Sequence, residues 1–583
     1  MKKVLSMIGL AVLSGCLLRA DSSKISPELL SSNASGKIRV IVQYNRPPSG
    51  ASLLNIPLLG GLVAQTLSTL NALIVSLPVS SLQALSNMAE VSYISPDRPV
   101  KQALDYSASA VNAGAAWNSK LTGLGVGVAV IDSGVAQLPD LTMLGLPRVV
   151  YHQDFTGGTP TLLGLLSAPK DGYGHGTHVA GIIGANGMAS SCFNCTRVLK
   201  GIAPNASIID LKVLDGNGAG SDSEVLAAID RAISLKSLLN IRVINLSLGR
   251  PVWETYQKDP LCQAVEAAWK AGIVVVVAAG NEGRDNSVGN QGYGTIQSPA
   301  NDPYVITVGA MKAMGTYTRT DDLIASYSSK GPSAIDFVVK PDVVAPGNHV
   351  VSLESPNSTL AADPLTTVPY SYYQATMNGN DSPAYMVLNG TSMATPVVSG
   401  AVADLLEGQP SLTPDSVKAR LMKTAYKTFP TSSTAVDPVS GESFTSYYDI
   451  FTIGAGYLDI AAMLQNHDTI SGNAMSPTAA FDAATQSVYL TFYPGSVWNG
   501  TDMTTSGSRA VWSTQSVWGA SVVGANRAVW GTRAVWSTST TDGFRAVWST
   551  RGVWGTSVDE GTRAVWGTDS HTSDSDSVFS VNH

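Results

Sequence analysis

Charged residues are scarce in this chain of 583 residues, because Asp, Glu, Lys and Arg together make up only 14% of it. The formal net charge is −7, so the chain has no excess of positive charge with which to bind nucleic acid. It has only four cysteines, at positions 16, 192, 195 and 262, and no cluster of Cys and His with the spacing of a zinc site. These scarcities argue against a nucleic-acid-binding protein and against a zinc enzyme.

The apolar run near the N-terminus, Val4–Leu13, is too short for an ordinary membrane span. It follows the basic start Met1–Lys3, and together they predict a signal peptide over residues 1–20, with cleavage near Ala20 and secretion of the rest. The alternative is a lipid anchor at the cell envelope, because the residues up to Cys16 resemble a bacterial lipoprotein signal. A chain of this length is expected to hold several folding units.

Two of the cysteines lie close together. Cys192 and Cys195 fall in a predicted loop, and in an oxidising compartment we expect a local disulfide between them. A redox-active pair is disfavoured because the strand–helix–strand context of a thioredoxin-like motif is missing. Cys262 has no obvious partner.

The segment Gly390–Pro396 places Ser392 among small residues, just before a helix-like run. Free backbone N–H groups and the helix dipole favour negative charge there, as a nucleophilic serine requires. A candidate orienting acid, Asp132, ends an apolar run, and a candidate base, His175, opens a Gly-rich motif. The chain order Asp, His, Ser differs from the orders of chymotrypsin and of the α/β-hydrolases.

Each of these residues also has a simpler interpretation. Asp132 could cap the turn after its strand, and Ser392 could be only a helix N-cap. His178 follows His175 by three residues, so the pair could hold a metal, although the zinc signature His-Glu-x-x-His is absent. Asn281 could be only a turn residue. The catalytic interpretation is favoured because four separate segments supply a nucleophile, a base, an orienting acid and an oxyanion donor.

In this order, the motifs resemble those of the subtilisin-like serine proteases, over residues 105–465. The matching segments are Val130–Val135, His175–Gly181, Asn245–Gly249, Ala278–Gly283 and Gly390–Pro396. The resemblance implies a serine endopeptidase with the catalytic triad Asp132, His175 and Ser392, and with Asn281 in the oxyanion hole. It also implies that the substrate backbone binds along Ser247, Leu248, Gly249, Ala278 and Gly280.

By this resemblance the substrates are proteins or peptides, and catalysis passes through an acyl-enzyme without a cofactor. Members of the family often bind structural calcium, and Asp140 lies in a segment that resembles the one supplying a ligand. The Asn-rich loop that would complete such a site is not recognisable. Cys192 and Cys195 lie in that region instead, so the expected disulfide is an alternative restraint.

Short apolar runs alternate with helical patterns in this unit, which predicts an α/β fold. We expect a subtilisin-like open parallel sheet with helices on both faces. The predicted strands are Val126–Ile131, Ser207–Val213, Arg242–Leu246, Ile273–Ala279 and Val305–Gly309, and the predicted helices are Thr177–Gly184, Ser223–Leu239, Leu261–Ala271 and Thr391–Leu406. A long segment, Ser352–Asn389, carries four tyrosines and is expected to be either a lid that shapes the cleft or a passive insertion.

A small α+β unit is predicted over residues 37–101. The pattern indicates strands at Ile38–Tyr44, Asn71–Leu77 and Val91–Pro96, with helices at 61–71 and Val79–Met88. This order resembles the inhibitory propeptides of the same family, so the unit is expected to inhibit its own enzyme until it is cut between about Val100 and Ser107. The alternative is an accessory domain that is never removed.

A linker, 466–506, leads to a Trp-rich repeat tail, 507–568, whose pattern returns every eighteen residues. Its tryptophans are Trp512, Trp518, Trp530, Trp536, Trp548, Trp554 and Trp566. A β-solenoid and a largely disordered extension are both compatible with this pattern. Exposed Trp with interleaved Arg could bind a cell surface, a polysaccharide or other copies of the tail.

Together these features predict a secreted serine endopeptidase, made as a self-processing zymogen. The alternative is an adhesion or assembly protein of the cell surface or matrix, in which the repeat tail carries the main role.

Overall fold

The computed structural model describes residues 24–26, 29, 36–67, 71–96, 106–156, 170–287, 290–375, 380–437, 440–468, 470–482, 487–497 and 564–565. The chain divides into two compact units, Met1–Lys101 and Gln102–His583. The predicted signal peptide and almost all of the predicted repeat tail lie outside the described residues. Among the described residues, no helix is both long enough and apolar enough to cross a membrane.

The first unit is a four-stranded antiparallel sheet with two helices. Its elements are β1 (Lys37–Tyr44), α1 (Gly50–Leu58), β2 (Leu62–Leu67), β3 (Ala72–Pro78), α2 (Leu82–Ser86) and β4 (Val91–Pro96). The strand order is β2-β3-β1-β4. Every second residue of β1 from Val40 to Tyr44 is buried, as expected for a strand with one face on a core. The three predicted strands of this unit are confirmed.

The predicted helix at 61–71 is wrong, because this stretch forms β2 and pairs with β3 from Leu62 to Leu67. β2 is an edge strand with mostly exposed side chains, so backbone pairing, which a hydrophobic pattern does not report, decides its structure. The first helix comes earlier and begins after Ser49, whose hydroxyl accepts the N–H of Ser52. α2 is shorter than predicted, because Val79–Ser81 forms a 3₁₀ turn.

The second unit contains the remaining elements. Its strands are β5 (Gly127–Asp132), β6 (Thr142–Met143), β7 (Leu146–Pro147), β8 (Val149–Asp154), β9 (Ser207–Lys212), β10 (Ala219–Gly220), β11 (Ile241–Leu246), β12 (Val274–Ala278), β13 (Ile306–Lys312), β14 (Leu323–Ile324), β15 (Val343–Asn348), β16 (Val350–Leu353), β17 (Thr367–Pro369), β18 (Asp381–Leu388), β19 (Ser432–Val436), β20 (Ser443–Tyr447), β21 (Thr478–Asp482), β22 (Ser487–Thr491) and β23 (Ala564–Val565). Its helices are α3 (Ser107–Ala110), α4 (Gly114–Asn118), α5 (His175–Gly184), α6 (Asp222–Leu239), α7 (Pro260–Lys270), α8 (Thr391–Gly408), α9 (Pro414–Thr424) and α10 (Ile460–Gln465).

An eight-stranded, mostly parallel sheet forms the centre of this unit. Seven strands follow the order β14-β13-β12-β11-β5-β9-β8, β15 also pairs with β13, and β14 alone runs antiparallel to its neighbour. Two pairs of helices, α5 with α8 and α6 with α7, pack together and against the sheet. The predicted strands and helices of this unit are confirmed, because fully buried parallel strands are continuous apolar runs in the sequence.

The carboxyl ends of β5, β11 and β12 meet at one edge of the sheet, because these three strands are parallel neighbours. Asp132 is the last residue of β5, and the chain that leaves β11 and β12 carries Asn281 and the residues predicted to bind the substrate backbone. This edge is also where open α/β sheets ordinarily bind their ligands.

The segment between β16 and α8 forms a small sheet with the order β16-β18-β17. Tyr373 and Tyr385 in this segment are buried in the core, and their rings meet edge to face at 5.2 Å between centroids. The segment therefore contributes side chains to the core of this unit.

Candidate active site

Asp132 and His175 lie side by side in the interior. Asp132 is the last residue of β5, and His175 is the first residue of α5. Asp132 Oδ1 and His175 Nδ1 are 2.8 Å apart, and both side chains are buried. Burial alone would lower the pKa of His175, but the charge and hydrogen bond of Asp132, with a smaller contribution from Asp171, raise it. The contact occupies Nδ1 and leaves Nε2 as the ring nitrogen that can exchange a proton.

The first turn of α5 lies unusually close to the end of β5. A Cβ atom at Gly176 would stand 2.2 Å from the carbonyl oxygen of Gly134 and 3.1 Å from the Cβ of Asp132. No side chain fits in that space, so a glycine after His175 is what allows the helix and the strand end to approach. Gly176 is therefore required for packing, which the sequence pattern alone does not reveal.

Asp171 is a buried carboxylate that the sequence analysis missed. Its Oδ1 accepts hydrogen bonds from Ser133 Oγ at 2.9 Å and from the N–H of Gly174 at 2.7 Å. Its Oδ2 accepts the N–H and the hydroxyl of Thr177 at 2.9 and 2.7 Å. Burial raises the pKa of Asp171, and these donors act in the opposite direction. Asp171 therefore connects Ser133, the residue after Asp132, to Thr177 in the first turn of α5.

The loop before His175 also forms hydrogen bonds with the first part of Ser352–Asn389, the segment that carries four tyrosines and is called the Tyr-containing segment below. Ser355 Oγ donates to the carbonyl of Asp171 at 2.7 Å. The N–H groups of Thr359 and Leu360 donate to the carbonyls of Gly172 and Tyr173, each at 3.0 Å. This part of the segment therefore braces the loop that carries the histidine.

Ser392 is the second residue of α8, so its N–H belongs to the first turn, which has no acceptor within the helix. Its hydroxyl donates to the carbonyl of Ser247 at 3.2 Å, and its own carbonyl accepts from Ser247 Oγ at 2.8 Å. Asn245 continues the network, because its Nδ2 donates to Ser247 Oγ and its Oδ1 accepts from Ser399 Oγ. The serine is thus tied to the end of β11, while α8 packs against α5.

Asn281 follows β12 and faces the start of α8. Its Oδ1 accepts the N–H of Thr391 at 2.9 Å and the Thr391 hydroxyl at 3.1 Å. Two donors on one oxygen fix the orientation of the amide, so Nδ2 is the end that can donate elsewhere. The N–H of Gly280 donates to the same hydroxyl, and the Gly280 carbonyl accepts from Ser329. These bonds fix the chain that leads from Ala278 into Asn281.

Ser247, Leu248 and Gly249 follow β11 directly, at the same sheet edge. Ser247 uses its side chain and its carbonyl to hold Ser392. Within the described part of the chain, the backbone N–H and C=O groups of Leu248 and Gly249 make no hydrogen bond. A bound peptide backbone could therefore pair with them.

His178 is not part of a metal pair. It is fully buried, its Nε2 lies 3.0 Å from the carbonyl of Val350, and burial with the nearby charge of His175 lowers its pKa to about 3. The ring is neutral and belongs to the core. Among the described residues, no group of three or more His, Cys, Asp or Glu is placed to hold a metal ion.

Asp140 is surrounded by hydrogen-bond donors of the protein. Its Oδ2 accepts the N–H of Ala189 at 2.8 Å, and its Oδ1 accepts the hydroxyl of Tyr385 at 3.1 Å. The same hydroxyl lies 2.9 Å from Ser190 Oγ. Both carboxylate oxygens of Asp140 are thus hydrogen-bonded within the protein, and calcium binding at this position stays a prediction.

Cys192 and Cys195 form a disulfide, as predicted. The loop that they close lies next to the Tyr-containing segment, because the N–H of Ala375 donates to the carbonyl of Asn194 at 2.7 Å. Cys262 is a buried free thiol, whose pKa is raised by burial and by the nearby charges of Asp302 and Asp259.

The chain is similar in sequence to known proteases. The model of the Subtilase family matches residues 123–446. Serine protease AprX of Bacillus subtilis is 36% identical over 344 residues, which cover 58% of this chain and 70% of the relative. Subtilisin E of the same species is 34% identical over 370 residues, with 63% and 78% covered. An alkaline protease of Shouchella clausii is 33% identical over 360 residues, with 61% and 74% covered.

The chain belongs to the subtilase family. It is a serine endopeptidase, a hydrolase that cuts peptide bonds within proteins or peptides.

Proposed function

We propose that Asp132, His175 and Ser392 form the catalytic triad of this endopeptidase. The observation that carries the proposal is the 2.8 Å contact between Asp132 Oδ1 and His175 Nδ1 on a helix that packs against the one bearing Ser392. The contact fixes the ring so that Nε2 can act as the base. Ser392 supplies the hydroxyl from the first turn of α8, where the helix dipole favours negative charge.

In the proposed reaction, His175 Nε2 takes the proton of Ser392 Oγ while that oxygen attacks the carbonyl carbon of the substrate. The proton then passes to the leaving amine, the C–N bond breaks, and the acyl group stays on Ser392. A water molecule, deprotonated by His175 in the same way, releases the acid and restores the serine. Asp132 stabilises the imidazolium in both halves of the reaction. This chemistry needs no cofactor.

Two donors are proposed to stabilise the oxyanion that forms during each attack. They are Nδ2 of Asn281 and the backbone N–H of Ser392, which both lie at the start of α8. The substrate backbone is proposed to pair with Leu248 and Gly249, with Ala278 and Gly280 forming the neighbouring wall.

The enzyme is proposed to be exported as a zymogen. The export signal is the basic and apolar start of the sequence, and the disulfide between Cys192 and Cys195 suits an oxidising compartment. The four-stranded unit over residues 37–101 has its own buried core, so it can fold as an inhibitor in its own right. Removal of this unit between about residues 100 and 107 would release the active protease.

Intact mass tests the triad and the self-processing together. Wild type and Ser392→Ala are both expressed from residue 21 and purified, with Ser234→Ala, an exposed serine on α6, as the matched control. We expect wild type and Ser234→Ala to lose the residues that precede a cut between about residues 100 and 107, and Ser392→Ala to stay uncut. Cleavage of all three proteins alike would assign the cut to another protease, and three uncut proteins would contradict self-processing.

A further inference from the structure

The repeat tail returns to the catalytic unit at one described point. β23, which consists of Ala564 and Val565, pairs antiparallel with β10, so that Ala219 lies opposite Val565 and Gly220 opposite Ala564. These two tail residues belong to the tetrapeptide Arg-Ala-Val-Trp, which occurs five times in the chain. The five copies begin at Arg509, Arg527, Arg533, Arg545 and Arg563.

β10 can pair with such a strand because the backbone groups of its two residues point to opposite sides. Those of Ala219 bind Asp215, and those of Gly220 face away from Asp215. The N–H of Ala219 donates to Asp215 Oδ1 at 3.0 Å, and the Ala219 carbonyl accepts the N–H of Asp215 at 2.8 Å. Backbone groups of successive strand residues point to opposite sides. The N–H and C=O of Gly220 are therefore the groups that face an added strand, and Ala564 is the tail residue opposite them.

This edge borders the candidate active site on its histidine side. A Cβ atom at Gly218 would stand 2.6 Å from the ring of Tyr173, whose centroid is 6.4 Å from that of His175. A Cβ atom at Gly220 would stand 2.3 Å from the carbonyl of Val213, and the N–H of Val213 donates to the carbonyl of Asp132. Glycines at positions 218 and 220 therefore let this edge lie against Tyr173, in the loop before His175, and against Val213, whose N–H binds the carbonyl of Asp132.

The other side of the same edge leads to the proposed substrate strand. Asp222, two residues after β10, accepts hydrogen bonds from Arg250 Nε at 3.0 Å, and Arg250 follows Gly249 in the chain. The contact between Asp222 and Arg250 thus links the β10 edge to the segment that is proposed to bind the substrate backbone.

We propose that the Arg-Ala-Val-Trp repeats of the tail bind in cis at β10 as an added strand and exclude substrate from the active site. The proposal rests on the proposed substrate-binding role of Leu248 and Gly249. Five copies on one tether raise the local concentration of the tetrapeptide to about the millimolar range, so even weak pairing occupies the edge. The tail is then a competitive inhibitor that a large or tightly bound substrate displaces.

Proline at the central position of the pairing tests the tail in the full chain. Ala510, Ala528, Ala534, Ala546 and Ala564 are all replaced by Pro, which has no N–H to donate to Gly220. The matched control replaces the same five alanines by Ser, which keeps the N–H. For a short peptide substrate we expect KM to fall about tenfold in the Pro variant with kcat unchanged, and to stay at the wild-type value in the Ser variant. Equal KM values in all three proteins would overturn the proposal.

A binding measurement separates this proposal from the proposed catalytic roles. The probe is a fluorescent peptide of residues 562–568, added to the Pro variant that also carries Ser392→Ala, so that nothing is cleaved. We expect the peptide to bind, to be displaced by excess peptide substrate, and to lose binding when its own Ala is replaced by Pro. Binding and displacement of the probe peptide, together with a wild-type protein that cuts no peptide substrate, would support the tail site and contradict the assigned catalytic roles. Absence of binding, or binding that substrate does not displace, overturns the tail site.

Discussion

The side-chain oxygen of Asn281 accepts two hydrogen bonds from Thr391, the residue immediately before the candidate nucleophile. The amide proposed to bind the oxyanion is therefore held by the same helix turn that carries Ser392. A displacement of that turn moves the nucleophile and the oxyanion donor together. The distance between the nucleophile and the oxyanion donor is thus preserved by a local contact, although Asn281 and Thr391 are 110 positions apart in the chain.

Replacing Asn281 by Ala is expected to lower kcat about a hundredfold or more. Loss of one oxyanion donor costs about 2.7–4 kcal/mol of transition-state stabilisation, a magnitude that was measured in a subtilisin, a member of the same family. KM should change little, because the donor acts mainly in the transition state. The measurement is steady-state kinetics with a peptide substrate, with folding checked by circular dichroism. A loss below tenfold would contradict the role of Asn281.

Thr391→Val should have a smaller effect of the same kind. It removes one of the two donors that orient the Asn281 amide, which is worth about 1 kcal/mol, so kcat should fall by about fivefold. The matched control is Thr395→Val, which makes the same chemical change one turn later, where the hydroxyl donates to the Thr391 carbonyl. Equal losses in the two variants would show that helix packing, and not the amide, determines the rate.

Asp171→Asn should move the acidic limb of the kcat/KM profile to lower pH. The negative charge of Asp171 contributes to raising the pKa of His175, and the neutral amide removes that contribution. His175 then becomes neutral, and able to act as a base, at a lower pH. The maximum rate should also fall, because an amide cannot accept all four of the hydrogen bonds at this position. Asp230→Asn, an exposed carboxylate on α6, is the control and should leave the limb in place.

Tyr385→Phe is expected to destabilise the fold by about 1–3 kcal/mol, because it removes a buried hydroxyl that lies within hydrogen-bond distance of both Asp140 and Ser190. Urea unfolding is measured in a Ser392→Ala background so that self-digestion does not interfere. Tyr370→Phe, a half-buried tyrosine of the same segment, is the matched control. The same small change in both variants would contradict the structural role given to Tyr385.

A second buried pair predicts how stability depends on pH. His152 Nδ1 lies 2.6 Å from Asp210 Oδ2, and burial raises the pKa of Asp210 to about 6. Burial alone would lower the pKa of His152, but the hydrogen bond and charge of Asp210 raise it. In the folded state both groups thus hold protons at higher pH than in the unfolded state. The pair therefore adds stability at low pH. The contribution of Asp210 is lost as pH rises from about 4 through about 6, and that of His152 is lost as pH rises above the ordinary histidine pKa of 6.5.

Asp210→Asn tests this slope. The unfolding free energy of the wild-type sequence, minus that of the variant, should be larger at pH 5 than at pH 8, with both proteins carrying Ser392→Ala. Asp230→Asn should show the same difference at both pH values. A difference for Asp210→Asn that grows toward pH 8 would reverse the assigned direction.

The central sheet could be predicted from the sequence because each buried parallel strand, such as β12, is a continuous apolar run. The triad could be proposed from the sequence because Asp132, His175 and Ser392 each stand in a recognisable motif, and its catalytic role stays a prediction. β2 could not, since its side chains are exposed and its pairing with β3 is a backbone property.

Asp171 and Thr391 escaped the sequence analysis for a different reason. An aspartate four residues before a histidine is compatible with any loop, and only the folded chain shows that its two oxygens join Ser133 to Thr177. Thr391 stands in a recognisable motif, but its bonds to Asn281 connect segments that the sequence does not relate. Hydrogen bonds of this kind depend on the tertiary structure and leave no periodic signal.

The bonds between Ser392 and Ser247 join positions 145 residues apart. Given the proposed catalytic roles, this separation also determines when, during synthesis of the chain, the enzyme can first become active. While the chain emerges from N- to C-terminus, Asp132 and His175 can meet early, but the nucleophile arrives only when more than two thirds of the sequence has been made. A chain that is stalled or broken before residue 392 is therefore unable to digest its neighbours in the producing cell.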